Sequence, residues 1–225
     1  ANITAIGSLD GAGQNGGDNN VVYQIVGQPL GVFYLPHCKG LVKNENGSYF
    51  YDIEDLDHNG NVDLSDGGDR YIAGQATPKV ILGSNISFRY KNYYISIQMN
   101  GAFGHKIFNG TGLAYTSMAC FPDYNVFKDA PKKNIIDQRV SDYWLEKGDY
   151  LNFEHLTIGY NVPLRSKLIR SLRVSCNISN IGTITGYKGL TPMINSYVVN
   201  STMGIDDKRN YPLYRTYSLG LSVQF

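Results

Sequence analysis

The last twelve residues of the chain, YRTYSLGLSVQF, restrict its fold more than any other stretch. Tyr217, Leu219, Leu221, Val223 and Phe225 alternate without a break with Thr216, Ser218, Gly220, Ser222 and Gln224. Successive side chains of a β-strand point to opposite faces, so a period of two gives one apolar face and one small, polar face. A helix would scatter the same apolar residues around its circumference.

The pattern recurs upstream. In LRVSCNISN, Leu172, Val174, Cys176 and Ile178 alternate with Arg173, Ser175, Asn177 and Ser179. In HLTIGYNVP, Leu156, Ile158, Tyr160 and Val162 alternate with Thr157, Gly159 and Asn161. The stretch VILGSNISFRYKNYYISIQMNGAFG holds two more strands, with Leu82, Ile86, Phe88 and Tyr90 on one face and Tyr93, Ile95, Ile97 and Met99 on the next. Lys91-Asn92 between them is a two-residue hairpin turn. An all-β, antiparallel fold is predicted, and 18 Tyr and 9 Phe against one Trp agree with it, since aromatic side chains suit a pleated surface.

Several classes fall away. A net charge of +1 with no block of Lys or Arg argues against a nucleic-acid surface, because phosphate binding depends on clustered cations. No apolar run approaches the roughly 20 residues of a spanning helix, and ANITAIGSLDG lacks the charged-then-apolar order of a signal peptide. A membrane β-barrel remains open, because its strands need only about 10 residues of alternating character. Cys38, Cys120 and Cys176 are odd in number, far apart and without a C-x-x-C pair, so they encode neither a zinc ribbon nor a disulfide framework.

The connections alternate in length. Lys91-Asn92 and the turn around PLRSKLIRS are short, whereas 104–148 and 182–213 are long. Outer-membrane barrels have short periplasmic turns and long extracellular loops. A soluble β-sandwich also alternates apolar and polar residues. The barrel gains weight from mostly uncharged polar faces, the loop asymmetry, and Tyr90, Tyr93 and Tyr94 at one strand end. The Gly- and Asn-rich opening, residues 1–31, reads as loop with short strand pieces. Counted back from a periplasmic C-terminus, the strand beginning near Lys79 runs towards the periplasm. Residues 1–79 are then an extracellular loop region, and 80–225 hold about five wall strands.

One local motif carries chemistry. DLDHNGNVDLSD, residues 55–66, has the spacing of a calcium loop. Asp55, Asp57, Asn59, Asp63 and Asp66 supply side-chain oxygens, Asn61 its backbone carbonyl, and Gly60 permits the sharp turn. Four carboxylates this close repel one another unless a cation neutralises them. Position 12 is Asp66 rather than a longer Glu, and no helix is evident on either side, so the motif reads as a structural staple rather than a sensor. The alternative is a solvated acidic turn, because Asp, Asn and Gly are also ordinary turn residues. Gly11 to Gly16 match G-x-G-x-x-G by letter, but no helix follows to cradle a phosphate. His37, His58, His105 and His155 show no metal spacing and read as surface or loop residues. Glu146 with Asp149, or Asp55 with Asp57, could be read as a glycosidase acid pair, but closeness in sequence does not set the carboxylate separation that such chemistry needs.

Five phrases in order, GQPLGVFY, DLDHNGNVDLSDGGDRYIAGQATPKVILG, YWLEKGDYLNFEHLTIGYNVP, NISNIGTITGYKGLTP and YPLYRTYSLGLSVQF, resemble the C-terminal region of the SusC/RagA family of TonB-dependent outer-membrane transporters of Bacteroidetes. The resemblance implies the last strands of a transmembrane β-barrel of about 22 strands with an internal plug. It also implies import of oligosaccharides or peptides under a SusD-like lipoprotein lid, driven through TonB contacts that this stretch does not include, and no enzymatic activity. The chain would then be part of a longer protein, its sheet closed by other strands in contact with outer-membrane lipid. Calcium in the 55–66 loop would fix an extracellular loop. Tyr115, Tyr124, Tyr187 and Tyr197, in the long loops, are candidates for stacking on substrate, although ordinary loop packing accounts for them as well. The rival reading is a secreted, calcium-stapled β-sandwich that binds carbohydrate as a soluble monomer of 25.0 kDa.

Overall fold

Residues that alternate in the sequence do build strands, but the chain uses them in two different ways. The computed structural model describes residues 3–8, 20–65, 67–123, 125–165, 168–194, 203–207 and 211–225. In chain order the strands are β1 (Ile3–Ser8), β2 (Asn20–Ile25), β3 (Val32–Leu35), β4 (Cys38–Lys43), β5 (Tyr49–Ile53), β6 (Tyr71–Gln75), β7 (Val80–Tyr90), β8 (Tyr93–Phe103), β9 (Lys106–Asn109), β10 (Leu145–Lys147), β11 (Tyr150–Val162), β12 (Ser171–Thr185), β13 (Ile205–Asp206) and β14 (Thr216–Gln224). Two short helices, α1 (Gly110–Thr116) and α2 (Ala130–Lys133), lie between β9 and β10. Among the described residues no helix is long and apolar enough to cross a membrane. The chain divides into a core unit, Ala1–Pro78 with Gly104–Gly148 and Tyr187–Tyr211, and a sheet unit, Lys79–Phe103 with Asp149–Gly186 and Pro212–Phe225.

The core unit is built around a conventional apolar interior. It contains the four-stranded sheet β1-β2-β3-β6, the hairpin β4-β5, and the small sheet β10-β9-β13, in which β13 runs parallel to β9. The opening residues, expected to be mainly loop, thus contribute β1 and β2 to a sheet. Val22, Phe33, Leu35, Phe108, Leu113, Ile135 and Ile205 form one cluster with almost no exposure. Each such buried aliphatic or aromatic side chain contributes on the order of 1.5–3 kcal/mol from removal of apolar surface from water. Trp144 buries its ring there as well and donates its indole N–H to Tyr51 Oη at 2.9 Å.

The sheet unit is one antiparallel sheet in the order β14-β12-β11-β8-β7. Its register carries apolar rows straight across all five strands. Ile86, Ile97, Leu156, Ile178 and Tyr217 form one row, and Phe88, Ile95, Ile158, Cys176 and Leu219 the next. The intervening row on the opposite face is Ser87, Ser96, Thr157, Asn177 and Ser218. Hydroxyls and amides link this polar face, with Ser87 Oγ donating to Ser96 Oγ at 2.9 Å and Thr157 Oγ1 to Asn177 Oδ1 at 2.8 Å. The register is strongly specified, because a slip of one residue would move every apolar side chain to the other face.

One irregularity explains a break in the sequence pattern. In β11 the apolar residues are Leu151 and Phe153, then Leu156 and Ile158, so the parity changes. A bulge at Glu154 absorbs the change, since Phe153 pairs with Met99 and His155 with Gln98. On β12 the same point leaves Asn180 and Ile181 between Gly182 and Ser179, with Asn180 at φ 54. An extra residue in one strand of a pair is the usual way to keep a face continuous.

At the hairpin end, Lys91 takes the positive φ of 51 that a tight two-residue turn requires. Tyr90, Tyr93 and Tyr160 form a row on the apolar face, and the rings of Tyr93 and Tyr160 lie 4.6 Å apart. Tyr94, grouped with them in the sequence, points to the polar face instead. Its ring covers Gly159, where an added Cβ would fall 1.9 Å from the ring, and the Arg173 guanidinium stacks on it at 5.3 Å.

Candidate functional site

The acidic loop lies between β5 and β6, and no helix flanks it. It is folded by its own short side chains, which accept backbone N–H groups a few residues ahead. Asp55 accepts from Gly60 N at 2.8 Å, Asp57 from Asn59 N at 3.0 Å, Asn59 from Asn61 N at 2.8 Å, and Asp63 from Ser65 N at 2.9 Å. Gly60 has φ 88, as a turn of this kind requires. The Gly60 N–H holds the Asp55 carboxyl below the usual carboxylate range, and the Ser65 N–H and hydroxyl do the same for Asp63.

The organising residue is one that the twelve-residue motif does not contain. Asp69 is 2% exposed, and its carboxylate accepts from Leu56 N and Asp63 N, both at 2.7 Å, and from Asp57 N at 3.2 Å. It therefore ties the start of the loop to its end. Asp55, Asp57 and Asp69 each present a carboxylate oxygen, the three lying within 4.8 Å of one another. Hard divalent cations such as calcium take carboxylate and carbonyl oxygens, so the donor set suits such an ion. Asp66 lies outside the described residues. The signal for Asp69 was the glycine pair before it: Gly67 has φ 93, and a Cβ on Gly68 would fall 2.4 Å from the Asp63 carbonyl oxygen, so only glycine lets the chain fold back.

Arg70 anchors this loop to the core. It donates through Nε and Nη2 to the Leu64 carbonyl at 3.0 and 2.6 Å, and through Nη1 to Tyr23 Oη at 2.7 Å. Leu64 itself packs against the core cluster.

A second feature is a cleft of about 260 Å³ lined by Asn109, Thr111, Phe127, Lys188, Leu190 and Asp206 among others. Asp206 is 1% exposed and accepts from Thr111 Oγ1 and Tyr187 Oη, both at 2.8 Å. Glu146 accepts from Asn109 Nδ2 at 2.9 Å and from Lys188 N at 2.8 Å. Tyr187 is thus buried and anchored, with burial and the adjacent Asp206 pushing its hydroxyl pKa well up, and it presents no open ring face. Tyr115 is partly exposed, edge-on to Phe127 at 5.9 Å. Tyr124, Tyr197 and the Gly11 to Gly16 stretch lie outside the described residues.

The histidines depart from a uniform surface placement. His105 is buried, and His37 Nδ1 lies 2.6 Å from Asp142, which also accepts from Tyr71 Oη and Cys38 N, each at 2.7 Å. Asp142 thereby pins the start of β4.

No protein-family model matches the chain. Among curated proteins it is 27% identical to the TonB-dependent receptor P3 of Formosa agariphila, over 88% of this chain and 22% of that protein. It is 26% identical to the TonB-dependent receptor SusC of Bacteroides thetaiotaomicron, over 93% of this chain and 21% of that protein. The chain therefore spans about a fifth of the length of these relatives. Among solved structures, the RagAB peptide importer in the open-open state shares its fold with a TM-score of 0.69 and 18% identity, over 96% of this chain and 24% of that one. The closed-closed state gives a TM-score of 0.66 and 16% identity, over 91% of this chain and 24% of that one. Along most of its length the chain is thus similar in sequence to TonB-dependent receptors, SusC among them, and its fold is similar to that of part of the RagAB structures.

Proposed function

We propose that the chain is the C-terminal part of a SusC-like transporter of the bacterial outer membrane, and that its sheet unit is a stretch of transmembrane barrel wall. One observation carries this reading: five strands in register present unbroken apolar rows on an exposed face and hydroxyl and amide rows on the other. Such a sheet suits lipid on one side and a wet lumen on the other. β7 and β14 are its edges, and in hydrocarbon each unpaired backbone group costs several kcal/mol, so strands elsewhere in the receptor would continue the sheet. Fractionation of the source cells tests it. The protein should remain in the outer membrane, need detergent for extraction, and run several times larger than 25.0 kDa. A soluble 25.0 kDa product would favour the secreted binding module.

The long connections and residues 1–79 would face outwards and the last strand would end in the periplasm. The transported substrate would be an oligosaccharide or a peptide, taken up with a SusD-like lipoprotein lid and TonB-transmitted energy. The cleft beside Phe127 and Tyr115 is the best placed of the loop features to touch it. No catalytic role is assigned to any residue. Deletion of the gene should abolish growth on the cognate oligosaccharide or peptide without loss of any hydrolytic activity in the cell envelope.

Calcium would be held by Asp55, Asp57 and Asp69, with Asn59, Asp63, the Asn61 carbonyl and Asp66 as further donors. Its chemistry there is charge neutralisation, which fixes the loop. Metal analysis of the purified receptor should find one calcium for this loop, lost in Asp69→Ala. Absence of that ion from the wild-type protein would remove the assignment.

A further inference from the structure

We propose that the short-turn end of the sheet unit binds the phosphate headgroups of anionic phospholipid, an inference that rests on the barrel-wall reading. Charge in this unit is sorted by position. Its only acidic residues are Asp149 and Glu154, at or beyond the bulge, whereas Arg89, Lys91, Arg165, Arg170 and Arg173 lie in or beside the two short turns, and Lys79 and Arg215 lie at the opposite end. Among the described residues, Arg89, Lys91, Arg165, Arg170 and Arg173 make no ion pair with any carboxylate. A terminal carboxylate on Phe225 would offset one of these charges.

Three of the cations sit where a headgroup would be. Lys91 Nζ lies 5.3 Å over the ring of Tyr90, which belongs to the apolar-face row with Tyr93 and Tyr160. Arg165 and Arg170 are exposed in the other short turn beside Leu164 and Leu168, and Leu168 is 81% exposed. Exposed leucines between arginines are poorly suited to water. At a bilayer boundary the leucines would reach the acyl chains while the long cationic side chains extend outwards to the phosphates. Arg89 and Arg173 belong to the polar face, where Arg173 donates to Asn161 Oδ1 at 2.8 Å, and take no part in this contact.

The test uses the full-length receptor in phosphatidylcholine bilayers that contain a minority of phosphatidylglycerol, with spin-labelled lipids reporting which species is immobilised at the protein. The wild type should prefer phosphatidylglycerol several-fold. Lys91→Gln/Arg165→Gln/Arg170→Gln should bring the preference close to one. Lys79→Gln/Arg215→Gln, at the other end of the sheet, should leave it unchanged. No preference in the wild type, or equal loss in both variants, overturns the proposal. Loss of the preference on adding inorganic phosphate would also overturn it, by identifying a site for free anions rather than for lipid. A wild-type receptor that fails to enter bilayers at all would refute the barrel-wall reading beneath it.

Discussion

The core unit and the sheet unit use apolar residues in opposite ways. Phe33 and Phe108 are 0% exposed in the one, while Phe88 and Leu219 are 64% and 86% exposed in the other. In the core unit, apolar side chains converge from three sheets and two helices and exclude water. In the sheet unit they line up in rows on one face, where Ile86, Phe88, Tyr217 and Leu219 are more than half exposed. Soluble proteins rarely leave apolar patches beyond a few hundred Å² uncovered. The contrast shows that burial in a single chain is not the only way to satisfy an apolar pattern, and that the arrangement of exposed residues identifies the solvent a surface was built for.

The contrast can be broken by mutation, and the largest effect belongs to the core. Phe108→Ala should destabilise the core unit by about 3–5 kcal/mol, from lost transfer energy plus a cavity, as read by thermal unfolding. Leu219→Arg should cost about 2–4 kcal/mol in a bilayer if its row lies near mid-depth, whereas Ser218→Arg, one residue away, should be tolerated. Urea titration of the receptor folded in liposomes measures both, and equal responses would contradict the two-face assignment.

Smaller effects sharpen the picture within each unit. Asp69→Ala strands three N–H donors at about 1–3 kcal/mol for each that stays buried, and limited proteolysis should then cut within 55–70 while the sheet unit stays intact. Gly159→Ala forces the Tyr94 ring off its seat and unstacks Arg173, at a cost of about 1–3 kcal/mol in the same urea titration. The smallest effect is on pH. Asp55 and Asp63 have lowered carboxyl pKa values in the fold, so their contribution is complete above the ordinary carboxylate pKa of about 4 and is lost as pH falls through the lower folded values. Protease sensitivity of the loop should rise only in that acid range, with no change between pH 5 and 8.

The strands of the sheet unit were legible because period two is a direct consequence of strand geometry, and all five alternating patterns keep their facing in the observed register. The bulge at Glu154 was not legible, since a parity change between Phe153 and Leu156 looks like the end of a strand until the neighbours on both sides are known. Tyr94 was grouped with its neighbours by position alone, although odd and even residues face apart. In the acidic loop, spacing identified Asp55 and Asp57, but Asp69 lies beyond the twelve-residue frame and joins them only through the turn at Gly67 and Gly68. Tyr187 was a candidate for stacking because it lies in a long loop. Its burial depends on Asp206, a partner 19 residues away that no local pattern connects to it.

Single cysteines placed in turn at positions 216 to 223 of β14, each carrying a fluorophore, test the central claim most directly in the full-length receptor reconstituted in lipid. Quenchers confined to the acyl region should reach labels at 217, 219, 221 and 223 and spare those at 216, 218, 220 and 222, giving a period of two. Equal quenching at both sets, or quenching of both only by water-soluble agents, would contradict the assignment of this face to lipid.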